Sequence, residues 1–158
     1  MNDKKEGTWN YWYENGQKKS EGEYMNAKKE STWNYWYENG QKKSEGEYMN
    51  AKKEGTWNYW YEKGQLKFEK VLKNGLLLST KCYFESGPIN YKGNYVNGKP
   101  QGKWTYWNRD GRIILSGNFR KGLKDGEWTR YFQDSILKIS YNNGAIVGEQ
   151  LGGIVRRK

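Results

Sequence analysis

The chain has 158 residues and a formal net charge of +10; 34% of its residues are apolar, and aromatics alone make up 17%. With no His and a single Cys it excludes an internal disulfide, a Cys/His metal centre and every nucleophile that needs a His base. Nine Trp and fourteen Tyr speak against disorder, which depletes aromatics, and predict a thin structure where each ring covers much area.

The chain is internally repeated. Residues 7–30 return as residues 31–54 with one change, Gly7 becoming Ser31, and a third copy starts at Gly55 and diverges after Tyr61. A turn glycine continues the period as Gly16, Gly40, Gly64, Gly87 and Gly111, with Ser135 in the sixth place. Trp9, Trp33, Trp57, Trp104 and Trp128 mark a second fixed position, which Thr80 takes in the fourth copy. The expected domain plan is an array over residues 1–143, with units at about 7–30, 31–54, 55–78, 79–101, 102–125 and 126–147. A cap and basic tail follow over 144–158, in which Leu151, Ile154 and Val155 close the last hairpin.

Each unit predicts a hairpin. Trp, Tyr and Thr in Thr8–Glu14 favour strands, and Asn15-Gly16, repeated as Asn39-Gly40, suits a two-residue type I′ turn. A second turn joins the units at Asn74-Gly75, Asn97-Gly98, Lys121-Gly122 and Asn143-Gly144. The first two joints are Asn26-Ala27 and Asn50-Ala51, where Ala tolerates positive φ less well, so a different or looser turn is expected. Pairing across Asn15-Gly16 sets Trp12 opposite Lys19, Tyr11 opposite Ser20 and Trp9 opposite Gly22. One face then holds Trp9, Tyr11, Tyr13, Gly22 and Tyr24, and the other Trp12, Lys19, Glu21 and Glu23. In the degenerate copies the same alternation adds Leu66, Ile89 and Ile113 to the aromatic face, and Cys82 joins it as a small core residue. A ring over the bare backbone of Gly22 explains why that glycine recurs.

These elements predict an all-β fold: an elongated, single-layer antiparallel meander of about six 24-residue hairpins, twisted and curled. Its aromatic face, if left bare, calls for curling or for a homodimer. Residues 1–54 balance ten Lys with ten acids, so the remaining eighteen Lys and Arg against eight acids account for the whole net charge. No run approaches the ~18 apolar residues of a membrane-spanning helix, and the expected location is the cytoplasm. Met1–Glu6 matches Met25–Glu30 almost residue for residue. The chain thus opens in mid-repeat, on the repeat's own Met or within a longer array that would carry any export signal upstream.

The stretch from Tyr95 to Gly111, with Gly102-Lys103-Trp104-Thr105-Tyr106-Trp107 at its centre, resembles the MORN repeat in its bacterial variant, and the resemblance covers nearly the whole chain. It implies a non-enzymatic scaffold without cofactor or metal. Proteins similar to it are often labelled as antitoxin or immunity partners of secreted toxins, and eukaryotic MORN proteins are linked to scaffolding and to anionic phospholipids.

The candidate contact surface is the ladder Trp12, Trp36, Trp60 and Trp107, with Tyr83 and Tyr131 in register and Lys19, Lys43 and Lys67 opposite the first three. Read as structure, each pair is a Lys stem packed on a ring, worth roughly 0.2–1 kcal/mol. Read as function, it is a set of exposed aromatics flanked by cations, suited to a protein partner rich in acids. Two other binding functions stay open: a cell-surface adhesion module for glycans or choline-type ligands, and a nucleic-acid or anionic-membrane binder using the basic C-terminal two-thirds.

Overall fold

The computed structural model describes residues 4–153. Thirteen strands and no helix make up those residues, antiparallel and in chain order within an open sheet. The strands are β1 (Gly7–Trp12), β2 (Lys18–Met25), β3 (Lys28–Trp36), β4 (Lys42–Met49), β5 (Lys52–Trp60), β6 (Leu66–Lys73) and β7 (Leu76–Tyr83). They continue as β8 (Ile89–Val96), β9 (Lys99–Trp107), β10 (Ile113–Arg120), β11 (Leu123–Tyr131), β12 (Ile136–Asn142) and β13 (Ala145–Gly152). The chain forms two compact units. Unit one runs to Leu78 and includes Glu85–Gly87; unit two comprises Ser79–Phe84 and the residues from Pro88 onward.

The two kinds of turn differ from the expectation in opposite ways. At Asn15-Gly16 Gly16 alone has positive φ; the Gly16 N–H donates to Tyr13 O at 3.0 Å and the Tyr13 N–H to Gln17 O at 2.8 Å. This is a three-residue loop, a type I turn closed by a left-handed glycine, and not the two-residue type I′ turn. Asn15 contributes through its side chain, whose Oδ1 accepts the Gln17 N–H at 3.0 Å. The joints between hairpins are the type I′ turns, with positive φ at both central residues of Asn26-Ala27, Asn50-Ala51, Asn74-Gly75, Asn97-Gly98, Lys121-Gly122 and Asn143-Gly144. Ala27 and Ala51 therefore adopt the same shape as the glycines, against the expectation of a looser turn. What holds them is a carboxylate one unit earlier: Glu6, Glu30 and Glu54 accept the N–H groups of Asn26, Asn50 and Asn74 at 2.7–2.8 Å. Gln101 does the same for Lys121 at 2.8 Å.

The longer hairpin loop shifts the register. Trp9 pairs with Gly22 and Tyr11 with Ser20 as expected, but a bulge follows and Trp12 pairs with Lys18, leaving Lys19 over. The same shift recurs in β3–β4, β5–β6, β7–β8 and β9–β10. Leu66, Ile89 and Ile113 consequently pair with Trp60, Tyr83 and Trp107 on the polar face, and not on the aromatic face to which simple alternation assigns them.

The core is a socket repeated along the sheet. Between β2 and β3, residues 31–33 lie opposite the single Gly22, because pairing resumes from Glu21–Asn34 to Glu23–Glu30. Positive φ at Ser31, Gly55, Gly102 and Gly126 turns the strand there, and the following Trp lays its ring on the glycine. A Cβ on Gly22, Gly46, Gly93 or Gly117 would stand 2.1–2.3 Å from ring atoms of Trp33, Trp57, Trp104 or Trp128. Gly22 is thus covered by the ring of the next hairpin, Trp33, and not by its own partner Trp9. Trp33, Trp57 and Trp128 have no exposure at all, and their N–H groups donate to Glu23 O, Glu47 O and Asn118 O at 2.9–3.1 Å. Tyr24, Tyr48, Tyr95 and Phe119 meet the next Trp edge-on at 4.9–5.3 Å. Lys29 and Lys53 close the outside, each ammonium 3.9 Å from the centre of a Trp ring. The inner rings of the aromatic face are thus covered by glycine, Tyr or Phe and Lys of the neighbouring strands.

The last hairpin departs from this scheme. Phe132 N–H donates to Ser135 O at 2.9 Å across a shorter loop, and β11–β12 keeps its register without a bulge. The segment from Gly144, expected as a cap, forms strand β13 up to Gly152, with Leu151 exposed. The rest of the expected cap and tail, from Ile154 to Lys158, lies outside the described residues.

Candidate functional site

The polar side of the sheet presents the expected aromatics in a different company. Trp12 is 57% exposed. Trp36 and Trp60 are met by Lys18 and Lys42 of the preceding hairpin, each ammonium 5.6–5.7 Å from the ring centre. Lys18 and Lys42 also pair with Glu21 and Glu45. The expected partners Lys19, Lys43 and Lys67 stand instead over Tyr13, Tyr37 and Tyr61 at 4.9–5.2 Å. The structure therefore keeps the aromatic ladder but replaces its cations: the bulge pushes the second Lys of each Lys-Lys pair out of line and leaves the first facing the next Trp. Tyr13 and Tyr37 have a second use, donating their hydroxyls to Trp36 O and Trp60 O at 2.8 Å and tying consecutive hairpins together.

Unit two changes the chemistry of this side. In unit one the middle of the polar face pairs Asn10 with Glu21, Asn34 with Glu45 and Asn58 with Glu69. In unit two the corresponding pairs are Lys81 with Lys92, Thr105 with Ser116 and Thr129 with Lys138, the first setting two cations directly opposite each other. A shallow open cleft of about 550 Å³ lies here, lined by Lys81, Lys92, Lys103, Thr105, Trp107 and Ile113 among others, none of them acidic. Lys92 stands 5.7 Å from the Trp107 ring, so the predicted Trp107 forms one wall of a cationic, partly apolar recess. Tyr83 pairs with Ile89 and Tyr131 with Ile136, an aromatic beside an aliphatic in each case. Lys18 and Lys42 on the polar side and the Lys81–Lys92 pair escaped the sequence reading. The glutamate caps escaped it too, although their fixed offset of twenty residues from the turn they serve is visible in the repeat.

The shifted titrations belong to the other face. Burial pushes the hydroxyl of Tyr35 well above its usual range, raises that of Tyr59, and takes Tyr91 to about 12, with Cys82 adding to the last shift. Burial also lowers Lys29 and Lys53, which lie over the Trp rings. These groups recur with the repeat and seal its core; they do not converge on one point. Among the described residues no three acids, His or Cys come together where a metal would be held.

A meander of short hairpins, locked by a ring on glycine and exposing a patterned polar side, defines a repeat scaffold of the open-sheet type. The family model described as MORN repeat variant matches residues 5–26, 29–50 and 53–74, so this part of the chain is built of three tandem MORN repeats. Each match runs from the Lys over a Trp to the Asn of the next type I′ turn, so the family's repeat and the structural socket coincide. No curated protein matches the chain in sequence.

Proposed function

We propose that this chain is a non-enzymatic scaffold that binds an acidic protein partner on its polar side. The observation that carries the reading is the recess of unit two, where Lys81, Lys92 and Lys103 stand beside Trp107 and Ile113 with no acid in the lining. Cations flanking an aromatic in a partly desolvated recess have the make-up of a protein-binding hot spot. The polar side of unit one alternates Lys18 and Lys42 with Glu21 and Glu45 and offers no continuous cationic line, so a nucleic-acid track would be confined to the basic C-terminal two-thirds. The resemblance to the bacterial variant repeat supports a narrower form of the proposal: the partner is a toxin, and binding occludes its acidic surface in an immunity-type complex.

The test is affinity capture with the wild-type chain, then binding of the purified captured protein to a Lys92→Glu/Lys103→Glu variant and to Trp107→Ala. The proposal predicts a loss of at least about tenfold in each, with a shallow dependence on salt. Unchanged binding by both variants overturns the site. A steep salt dependence with equal affinity for unrelated polyanions would favour the nucleic-acid or anionic-membrane reading instead.

A further inference from the structure

Trp9 stands at the same place in β1 as Trp33 in β3 and Trp57 in β5, in nearly the same sequence, and differs in one respect. Strand β2 covers Trp33 and β4 covers Trp57, whereas no strand of the described residues lies on the outer side of β1. Trp33 and Trp57 are wholly buried; Trp9 is half-buried. The inner surroundings are already in place. Lys5 lies 4.5 Å over the Trp9 ring as Lys29 lies over Trp33, Tyr24 meets the ring edge-on, and Gly7 holds the positive φ seen at Gly55, Gly102 and Gly126. That φ belongs to the bulge which, in the inner strands, lies opposite a glycine. The indole N–H shows the gap directly. In Trp33, Trp57, Trp104 and Trp128 it donates to a carbonyl of the neighbouring strand, one residue past the glycine. In Trp9 it turns back to Glu6 O of its own segment at 3.2 Å.

We propose that the outer edge of β1 is a strand-addition site for an extended Gly-x-Tyr or Gly-x-Phe segment of a second polypeptide. The glycine would lie under the Trp9 ring, the next residue's carbonyl would accept the indole N–H, and the aromatic two places on would meet the ring edge-on. The occupant's chemistry is taken from this molecule, where Gly22-Glu23-Tyr24, Gly46-Glu47-Tyr48, Gly93-Asn94-Tyr95 and Gly117-Asn118-Phe119 fill the equivalent places. Backbone pairing would supply affinity and the socket specificity, as in other strand-addition sites. The outer edge of β13 makes a contrast, since Ala145–Gly152 holds no aromatic residue and offers no ring to cover a glycine. This goes beyond the polar-side reading and does not depend on it.

The experiment adds a labelled peptide with the sequence of residues 41–51, Gln-Lys-Lys-Ser-Glu-Gly-Glu-Tyr-Met-Asn-Ala, to the full chain and follows binding by fluorescence anisotropy. Saturable binding is expected, weakened about tenfold or more when the peptide's Gly becomes Ala. Trp9→Ala in the chain, with its fold checked by circular dichroism, should weaken it similarly. Absence of binding at millimolar peptide, equal binding of the Gly and Ala peptides, or full binding to Trp9→Ala overturns the proposal. Self-association of the chain that Trp9→Ala abolishes and the peptide does not compete would assign the edge to a second copy, and overturns it as well.

Discussion

Unit one is built of near-identical repeats, unit two of divergent ones, and the features common to both separate architecture from surface. Gly93 under Trp104 and Gly117 under Trp128 persist in unit two as in Gly22 under Trp33 and Gly46 under Trp57. So does the cap on the type I′ turn, with Gln101 replacing Glu6, Glu30 and Glu54. An amide oxygen serves there, so the cap depends on an acceptor and not on a charge. The middle of the polar side does not persist: Asn opposite Glu in unit one becomes Lys opposite Lys, Thr opposite Ser and Thr opposite Lys in unit two. Where the glycine is lost, the ring is lost with it. Ile139 stands in the glycine's place and pairs directly with Glu149, which carries no ring, and the bulge moves to Ser140/Tyr141.

The comparison breaks most visibly at the rings. Trp57→Ala and Trp128→Ala each empty a fully closed socket and should cost about 3–5 kcal/mol in urea unfolding, despite the different sequences around them. Trp12→Ala, more than half exposed, should cost under about 1 kcal/mol. The glycines come next. Gly46→Ala would drive a Cβ to 2.3 Å from the Trp57 ring and should cost about 1–3 kcal/mol. Gly148→Ala, whose Cβ would meet nothing closer than Ser140 Cβ at 3.9 Å, should stay within about 0.5 kcal/mol of wild type. Glu54→Ala removes an acceptor from Asn74 N–H and should cost about 1 kcal/mol, whereas Glu54→Gln, imitating unit two, should cost little. The smallest effect is a gain. Ser31 is the one repeat-start residue with positive φ that is not glycine, so Ser31→Gly should stabilise unit one by roughly 0.5–1 kcal/mol.

Alkali probes both units together. Tyr24 and Tyr91 are raised to about 12 by burial, and Tyr35, Tyr59 and Tyr106 are raised as well. In that window the folded chain keeps protons that the unfolded chain has released, so stability is full below pH ~10 and falls as pH rises toward 12. Lys29 and Lys53, lowered by burial, act in the opposite sense but are fewer. Tyrosine absorbance should therefore titrate cooperatively with loss of the strand signal; independent titration near pH 10 with the fold intact would contradict the burial of these rings.

What the sequence disclosed was local to the hairpin. The period, the strand content and the pairs Trp9–Gly22 and Tyr11–Ser20 follow from alternation and a turn signal. The bulge did not, because Asn-Gly suits either a two-residue or a three-residue loop, and one added residue realigns Lys18, Lys19, Leu66 and Ile113. Contacts between hairpins were less legible still. They depend on positive φ at Ser31, Gly55, Gly102 and Gly126, which sets three residues against one and carries each Trp onto the previous hairpin's glycine. Within the candidate site, the aromatics Trp12, Trp36, Trp60 and Trp107 were read correctly as a polar-side ladder, but their cations were not, since these come from the neighbouring hairpin.

The socket is most directly tested by a double-mutant cycle in unit two, measured by urea unfolding, with Gly117→Ala and with Trp128→Gln, which removes the ring. Gly117→Ala should cost about 1–3 kcal/mol while Trp128 is present and close to nothing once Gln replaces it. An equal cost in both backgrounds would show that ring and glycine do not interlock, and would contradict the account.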